Sequence, residues 1–123
     1  MENKFLRLLA IVVKQSCEEL GIPRPTVKVI NNPSYTEKNS SYGGYFPEEK
    51  TINTVVYERT LADSCRSVLH EIYHHYQNIN GKLTTEAGKD GDEFENEANA
   101  YAGKKMREFG RQYPEMFFMK YEK

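Results

Sequence analysis

Apolar residues recur at helical spacing through the first twenty residues of the chain. This pattern predicts an amphipathic helix over residues 3–20, with an apolar stripe made of Phe5, Leu8, Leu9, Val12, Val13 and Leu20. Gly21 is expected to end the helix, and Pro23 and Pro25 favour an extended exit from it. Residues 26–30 then alternate as in a short strand.

A second pattern, rich in aromatic and β-branched residues, follows a polar loop. The segments SYGGYF and TINTVVYE are separated by PEEK, where Pro47 and the charged residues favour a turn. We therefore expect an antiparallel hairpin. Gly43 and Gly44, within its first strand, indicate a bulge or the close approach of another backbone.

The second half of the chain returns to helical spacing. Thr60 is expected to cap a helix that ends near Asn80 and Gly81. A further helix is predicted from near Asp92 to near Gly110, followed by a short one at residues 114–118. Because helices and strands are segregated along the chain, the pattern predicts an α+β fold with a small three-stranded, mainly antiparallel sheet.

Length and charge narrow the class of protein. The chain has 123 residues and a formal net charge of -1, which predicts one domain over residues 1–123 without the basic surface of a nucleic-acid-binding protein. Cys17 and Cys65 are expected to be free thiols. The apolar run at residues 5–13 lacks a following cleavage site and is too short to span a bilayer. We therefore expect a cytoplasmic protein that does not contact a membrane.

All three histidines of the chain lie within the segment HEIYHH, on the helix predicted after Thr60. His70 and His74 are four residues apart, so both imidazoles lie on one helix face, opposite the apolar stripe. They could reach one Zn²⁺ at about 2.0 Å. Glu71 completes the H-E-x-x-H signature of zinc hydrolases, in which the glutamate is the general base. The alternative is a solvated polar face without a metal.

A catalytic zinc needs a third protein ligand and an open position for water. His75 is expected to point away, as a surface residue or one behind the ligands, so the third ligand should be a carboxylate. The downstream segment DEFENEANAYAGKK offers Glu93, Glu95 and Glu97. Glu97 lies on the flank of that helix's apolar stripe, and the periodicity does not exclude Glu95.

The combination of HEIYH with ENEANAYA resembles the ImmA/IrrE-type metallopeptidases, a zincin family with a glutamate third ligand. The resemblance covers about residues 40–108, and the family's Glu-Ala-Asn helix corresponds to residues 97–102. It therefore implies that His70, His74 and Glu97 bind zinc. The chain departs from the family at Tyr73, where a small residue is usual, and at residues 103–106, where Leu-Met-Pro often follows.

The resemblance implies a minimal zincin-like domain and a zinc-dependent peptidase of narrow specificity. Its substrate would be a peptide bond in a protein or peptide, including repressor-type regulators. Glu71 would accept the proton of the attacking water. Tyr101, one turn from Glu97, is the candidate donor to the developing oxyanion, although it also suits the contact between two helices. The alternative function is a non-catalytic, metal-binding interaction module of the same fold.

Overall fold

The computed structural model of the chain describes residues 3–35, 42–81 and 93–121, and these form an α+β fold. The elements are α1 (Lys4–Leu20), β1 (Thr26–Ile30), β2 (Gly43–Phe46), β3 (Thr51–Val55), α2 (Leu61–Ile79), α3 (Glu93–Gln112) and a 3-10 helix (Pro114–Phe117). The α+β class predicted from the sequence is confirmed. The predicted start of α3 near Asp92 lies outside the described residues.

The helix ends follow the capping residues in the sequence. The side chain of Asn3 accepts a hydrogen bond from the backbone of Leu6, and Gly21 takes a left-handed conformation with φ 69° after α1. The side chain of Thr60 accepts from the backbone N–H of Asp63 at the start of α2, as predicted. Gly21 carries no side chain to oppose the left-handed turn, which is why α1 ends there.

The sheet is mixed, with β3 at its centre and the order β1–β3–β2. The predicted hairpin is confirmed, because β2 and β3 pair antiparallel from Gly43 opposite Thr54 to Phe46 opposite Thr51. The expected mainly antiparallel sheet is wrong, since β1 pairs parallel with β3 along its whole length. The buried strand β3 takes the central place, and β2, with its two glycines, remains at an edge.

Helix α2 lies at the centre of the domain and packs against α1, α3, β2 and β3. Its apolar face is fully buried at Leu61, Cys65, Val68, Leu69 and Ile72. The same core includes Phe5, Leu8, Leu9 and Val12 of α1 and Ala102, Met106 and Phe109 of α3. Burial of these side chains fixes α2 against its neighbours and leaves one polar face of α2 opposite the start of α3.

Both cysteines belong to this packing. Cys17 and Cys65 are free thiols, as the sequence predicted, and both are buried. Burial raises the pKa of the Cys17 thiol to about 11 and that of Cys65 to about 12, so both remain protonated and unreactive near neutral pH. Among the described residues, no helix combines the length and the apolar character needed to cross a membrane.

Candidate metal centre

The polar face of α2 brings His70 and His74 together, as their spacing predicted. Their Nε2 atoms lie 3.2 Å apart, and the ring centroids are separated by 4.7 Å in an edge-to-face arrangement. One helical turn separates the two residues, so the backbone of α2 alone sets this geometry. His74 is nearly buried and His70 is partly exposed, which leaves the pair open to solvent on one side.

Glu95, from the first turn of α3, contacts both imidazoles. Its Oε1 lies 2.7 Å from Nε2 of His70, and its Oε2 lies 3.0 Å from Nε2 of His74. Glu97 is not at this position, because its carboxylate is turned toward Gln77 instead. The carboxylate beside the histidines is therefore Glu95, whereas Glu97, the ligand that the family resemblance implied, contacts Gln77.

The sequence contained a signal for Glu95 that the family resemblance obscured. Glu95 precedes Ala98 by three residues and Ala102 by seven, so it continues the buried stripe of α3 toward its N-terminus. Glu97 is two residues further along and is turned by about 200° around a helix of 3.6 residues per turn. The residue that continues the apolar stripe faces α2, and here that residue is Glu95.

The donor atoms of this cluster fit a metal ion. Side-chain atoms bound to one tetrahedral zinc at about 2.0–2.2 Å lie about 3.3 Å from one another. The separations of 2.7, 3.0 and 3.2 Å among His70, His74 and Glu95 are close to that value. Imidazole nitrogens with free lone pairs and carboxylate oxygens attract one another at this distance only through a shared proton or metal ion.

Glu71 stands beside the two histidines. One ligand atom from each of His70, Glu71 and His74 can be chosen so that all three lie within 4.8 Å of one another, and this group could hold a metal ion. The carboxylate oxygens of Glu95 lie only 2.7 and 3.0 Å from the imidazole nitrogens, well within 4.8 Å. The distances favour Glu95 as the carboxylate that completes the histidine pair and leave Glu71 beside it.

Burial makes the Glu71 carboxyl basic. Desolvation raises its pKa from 4.5 to about 7, and the carboxylate of Glu95 adds to the rise, whereas the nearby His74 lowers it. A carboxyl with a pKa close to neutrality can exchange protons in both directions at physiological pH. Glu71 is therefore matched to the proton transfers expected of a general base.

Burial also favours the neutral form of His70. Desolvation lowers the pKa of its imidazole, and His74 lowers it further, while Glu95 and the Asn99 side chain oppose the shift. A metal ligand must be a neutral imidazole with a free lone pair. The surroundings of His70 thus hold it in the form that can bind a cation at neutral pH.

Gln77 is a residue of the site that could not be identified from the sequence. Its oxygen lies 2.8 Å from Nδ1 of His74, and its amide nitrogen donates to the backbone oxygen of Phe94 and to Glu97 Oε1, each at 3.1 Å. Gln77 follows His74 by three residues, so the two side chains lie on the same side of α2. Only the position of α3 shows that the side chain joins the two helices.

His75 is expected from the sequence to point away from the His70–His74 face, either at the surface or behind the ligands. It is not at the surface. Its side chain is 1% exposed, with Nε2 3.0 Å from the backbone oxygen of Pro23 and Nδ1 2.6 Å from the Tyr45 hydroxyl. Because the Pro23 oxygen can only accept, Nε2 donates to it and Nδ1 accepts from Tyr45 in the neutral ring. His75 therefore points away from the metal cluster, as predicted, and fastens β2 to α2.

Tyr101 lies away from the cluster. Its ring packs at 5.1 Å against that of Tyr73, and its buried hydroxyl lies beside that of Ser16 in α1 without reaching hydrogen-bond geometry. Burial raises the pKa of Tyr101 to about 12. This position between helices matches the alternative reading of Tyr101, and the hydroxyl is not directed at the space beside Glu71 and His70.

The candidate metal centre opens into a cleft of about 560 Å³. Its walls include Tyr42 and Gly43 at the start of β2, Arg66 and Ser67 of α2, and Asn99 of α3. His70, Glu71 and Glu95 also line this cleft. The cluster is thus accessible from outside the domain, and polar side chains surround the approach to it.

Comparison with known proteins identifies no relative of this chain. No family model, curated protein or solved structure matches the chain.

Proposed function

We propose that this chain is a zinc-dependent peptidase of narrow specificity in which His70, His74 and Glu95 hold the metal and Glu71 is the general base. The observation that carries the proposal is the convergence of two imidazole nitrogens and a carboxylate at ligand distances, with a basic carboxyl beside them, on the wall of an open cleft. Nitrogen and oxygen donors in this number, with an open position, are typical of catalytic zinc.

The roles of the chain's own residues follow from their positions. Zinc bound here would polarise a substrate carbonyl and lower the pKa of a coordinated water to about 7. Glu71 accepts the proton of the attacking water and passes it to the nitrogen of the scissile peptide bond, which leaves as an amine. The burial that raises the pKa of Glu71 also strengthens its electrostatic interactions with the reacting groups.

The position of β2 supports a peptide as the substrate. Gly43 of β2 lines the same cleft as His70 and Glu71. A peptide bound in this cleft would lie beside β2 and present a peptide bond to Glu71. A domain of 123 residues offers little surface beside the cleft for binding many different sequences, which supports narrow specificity rather than general digestion.

Membership of the ImmA/IrrE-type family, a cytoplasmic location and a regulator as substrate are parts of the same proposal. They are supported by the HEIYH and ENEANAYA motifs. In this proposal Glu95, rather than the Glu97 implied by the family pattern, is the third ligand.

The deciding experiment replaces Glu71 by glutamine. Glu71→Gln keeps the size of the side chain but removes the proton acceptor, so it should retain zinc and fold while losing hydrolysis of a fluorescence-quenched peptide library by at least about a hundredfold. Glu49→Gln, at an exposed turn, is the matched control and should retain wild-type hydrolysis. Equal hydrolysis by Glu71→Gln and wild-type protein would contradict the proposal. Zinc binding without hydrolysis of any library peptide by the wild-type protein would favour the non-catalytic binding module.

A further inference from the structure

Gln77 is a buried polar side chain whose hydrogen-bonding groups all have partners across two helices. It is 1% exposed, and it joins His74 of α2 to the backbone oxygen of Phe94 and the carboxylate of Glu97 in α3. Burying an amide is costly unless its oxygen and nitrogen are both hydrogen-bonded. The amide therefore stabilises one arrangement of α2 and α3 and disfavours arrangements in which it loses partners.

The partners of Gln77 determine which way its amide points. The Phe94 oxygen and the Glu97 carboxylate are both acceptors, so the NH₂ group must face them. The amide oxygen consequently faces Nδ1 of His74 at 2.8 Å. An oxygen can only accept there, so Nδ1 of the neutral His74 ring carries the hydrogen and Nε2 keeps its lone pair. Nε2, which carries this lone pair, lies 3.0 Å from Oε2 of Glu95 and is the atom available to bind a metal.

The same amide holds the segment of α3 that carries Glu95. Its two acceptors come from residue 94, directly before Glu95, and from residue 97, two positions after it. A rotation of α3 that moved Glu95 away from His70 and His74 would also break these contacts. Gln77 thus connects the state of one histidine with the position of the carboxylate opposite it.

We infer that Gln77 is a positioning residue of the proposed metal centre: it fixes the Nδ1-protonated tautomer of His74 and, through Phe94 and Glu97, the approach of Glu95. This inference rests on the proposed zinc site. It assigns a role to Glu97, which accepts from Gln77 rather than contacting the metal. Partners of this kind, behind a metal ligand, orient it and typically change metal affinity by about 10- to 100-fold.

The test combines zinc affinity with nitrogen NMR of the imidazoles. In the wild-type protein, long-range proton–nitrogen correlations should show hydrogen on Nδ1 of His74, with or without zinc. Gln77→Leu should weaken zinc binding by about 10- to 100-fold in competition with a chelator and should release His74 into a mixture of tautomers. Glu93→Gln, which removes a carboxylate from the same turn of α3, should change neither measurement.

If Gln77→Leu does not fold, a second pair of variants exchanges the amide of residue 77 with the carboxylate of residue 97. Gln77→Glu alone preserves the size and the acceptor for His74, but it sets a second carboxylate against Glu97 and should weaken zinc binding. Adding Glu97→Gln supplies an amide donor to the introduced carboxylate and should recover part of the lost affinity, while loss of the hydrogen bond from residue 77 to the Phe94 oxygen keeps the affinity below that of wild type.

The inference is overturned by any of three results. These are absence of hydrogen from Nδ1 of His74 in the wild-type protein, unchanged zinc affinity in Gln77→Leu, or a double variant no better than Gln77→Glu. Absence of zinc binding by the wild-type protein would reject the proposed function instead. The tautomer of His74 would still be readable in that protein, so the two failures are distinguishable.

Discussion

Glu95 and His70 meet across two helices, with Oε1 of the carboxylate 2.7 Å from Nε2 of the imidazole. Neither residue is fully buried, and both line the cleft. Helix α2 supplies the histidine and the adjacent Glu71, and α3 supplies the carboxylate. The proposed site therefore depends on how these two helices pack. It can be tested by measuring zinc binding, the effect of Glu71 on stability, and the stability of the surrounding fold.

Substitution of the three glutamates at the start of α3 should separate the ligand from its neighbours. Glu95→Ala should remove most zinc affinity, because it deletes the carboxylate that contacts both histidines. Glu93→Ala should bind zinc as the wild-type protein does, and Glu97→Ala should show a smaller loss than Glu95→Ala. Elemental analysis of protein purified without added metal should give about one zinc per chain for the wild type. Loss of zinc from Glu97→Ala with full retention in Glu95→Ala would restore Glu97 as the ligand.

The raised pKa of Glu71 predicts an unusual pH dependence of stability in chelator-treated protein. The folded state holds the Glu71 proton more tightly than the unfolded state, in which the carboxyl titrates near 4.5. Burial of Glu71 therefore costs nothing below about pH 4.5, and the cost grows as pH rises through the window from 4.5 to 7. Above that window, Glu71→Gln should be more stable than wild type by on the order of 1–3 kcal/mol.

Urea unfolding at pH 5 and pH 8 measures this difference, with Glu49→Gln as the exposed control. The lowered pKa of His70 acts in the opposite direction, destabilising the protein as pH falls, but it is present in wild type and variant alike. Comparison of the two proteins therefore isolates Glu71. A stability advantage of Glu71→Gln that grows toward low pH would contradict the assigned shift.

Removal of metal should loosen the first turn of α3 before it affects α1. Residues 93–97 are tied to α2 through Glu95 and Gln77, whereas Met106 and Phe109 anchor the second half of α3 in the core. Hydrogen exchange with and without a chelator at neutral pH should show loss of protection in the first turns of α3, with α1 unchanged. Equal protection in both states would mean that no metal links α2 to α3.

Adjacent glycines of β2 should respond differently to alanine. A Cβ at Gly43 would lie 2.8 Å from the backbone oxygen of Asn53 on the partner strand, so the hairpin would have to shift. At Gly44 the nearest atom is the Tyr35 hydroxyl at 3.4 Å, which is ordinary contact. Gly43→Ala should therefore cost about 1–3 kcal/mol in urea unfolding, with Gly44→Ala closer to wild type. Equal stability of the two variants would exclude a close backbone approach at Gly43.

Features that depend on one element could be predicted from the amino-acid pattern alone. Helical periodicity and capping residues predicted α1 and α2, including the cap at Thr60. The four-residue spacing of His70 and His74 predicted their common face, because the geometry of a single helix sets it. The turn chemistry at Pro47 likewise predicted the pairing of β2 with β3.

Features that depend on how elements meet are set by packing in the folded chain. The pairing of β1 with β3 follows from which hairpin strand is buried, and the turn between β2 and β3 does not specify it. The choice of Glu95 over Glu97 follows from the rotation of α3 about its axis, which packing of Ala98 and Ala102 against the rest of the core sets. Residues two positions apart on a helix face nearly opposite directions, so only one of the two carboxylates can face α2. The apolar stripe of α3 points to Glu95, but the sequence does not show which element that stripe packs against, because the contact arises from side-chain packing between helices distant in sequence.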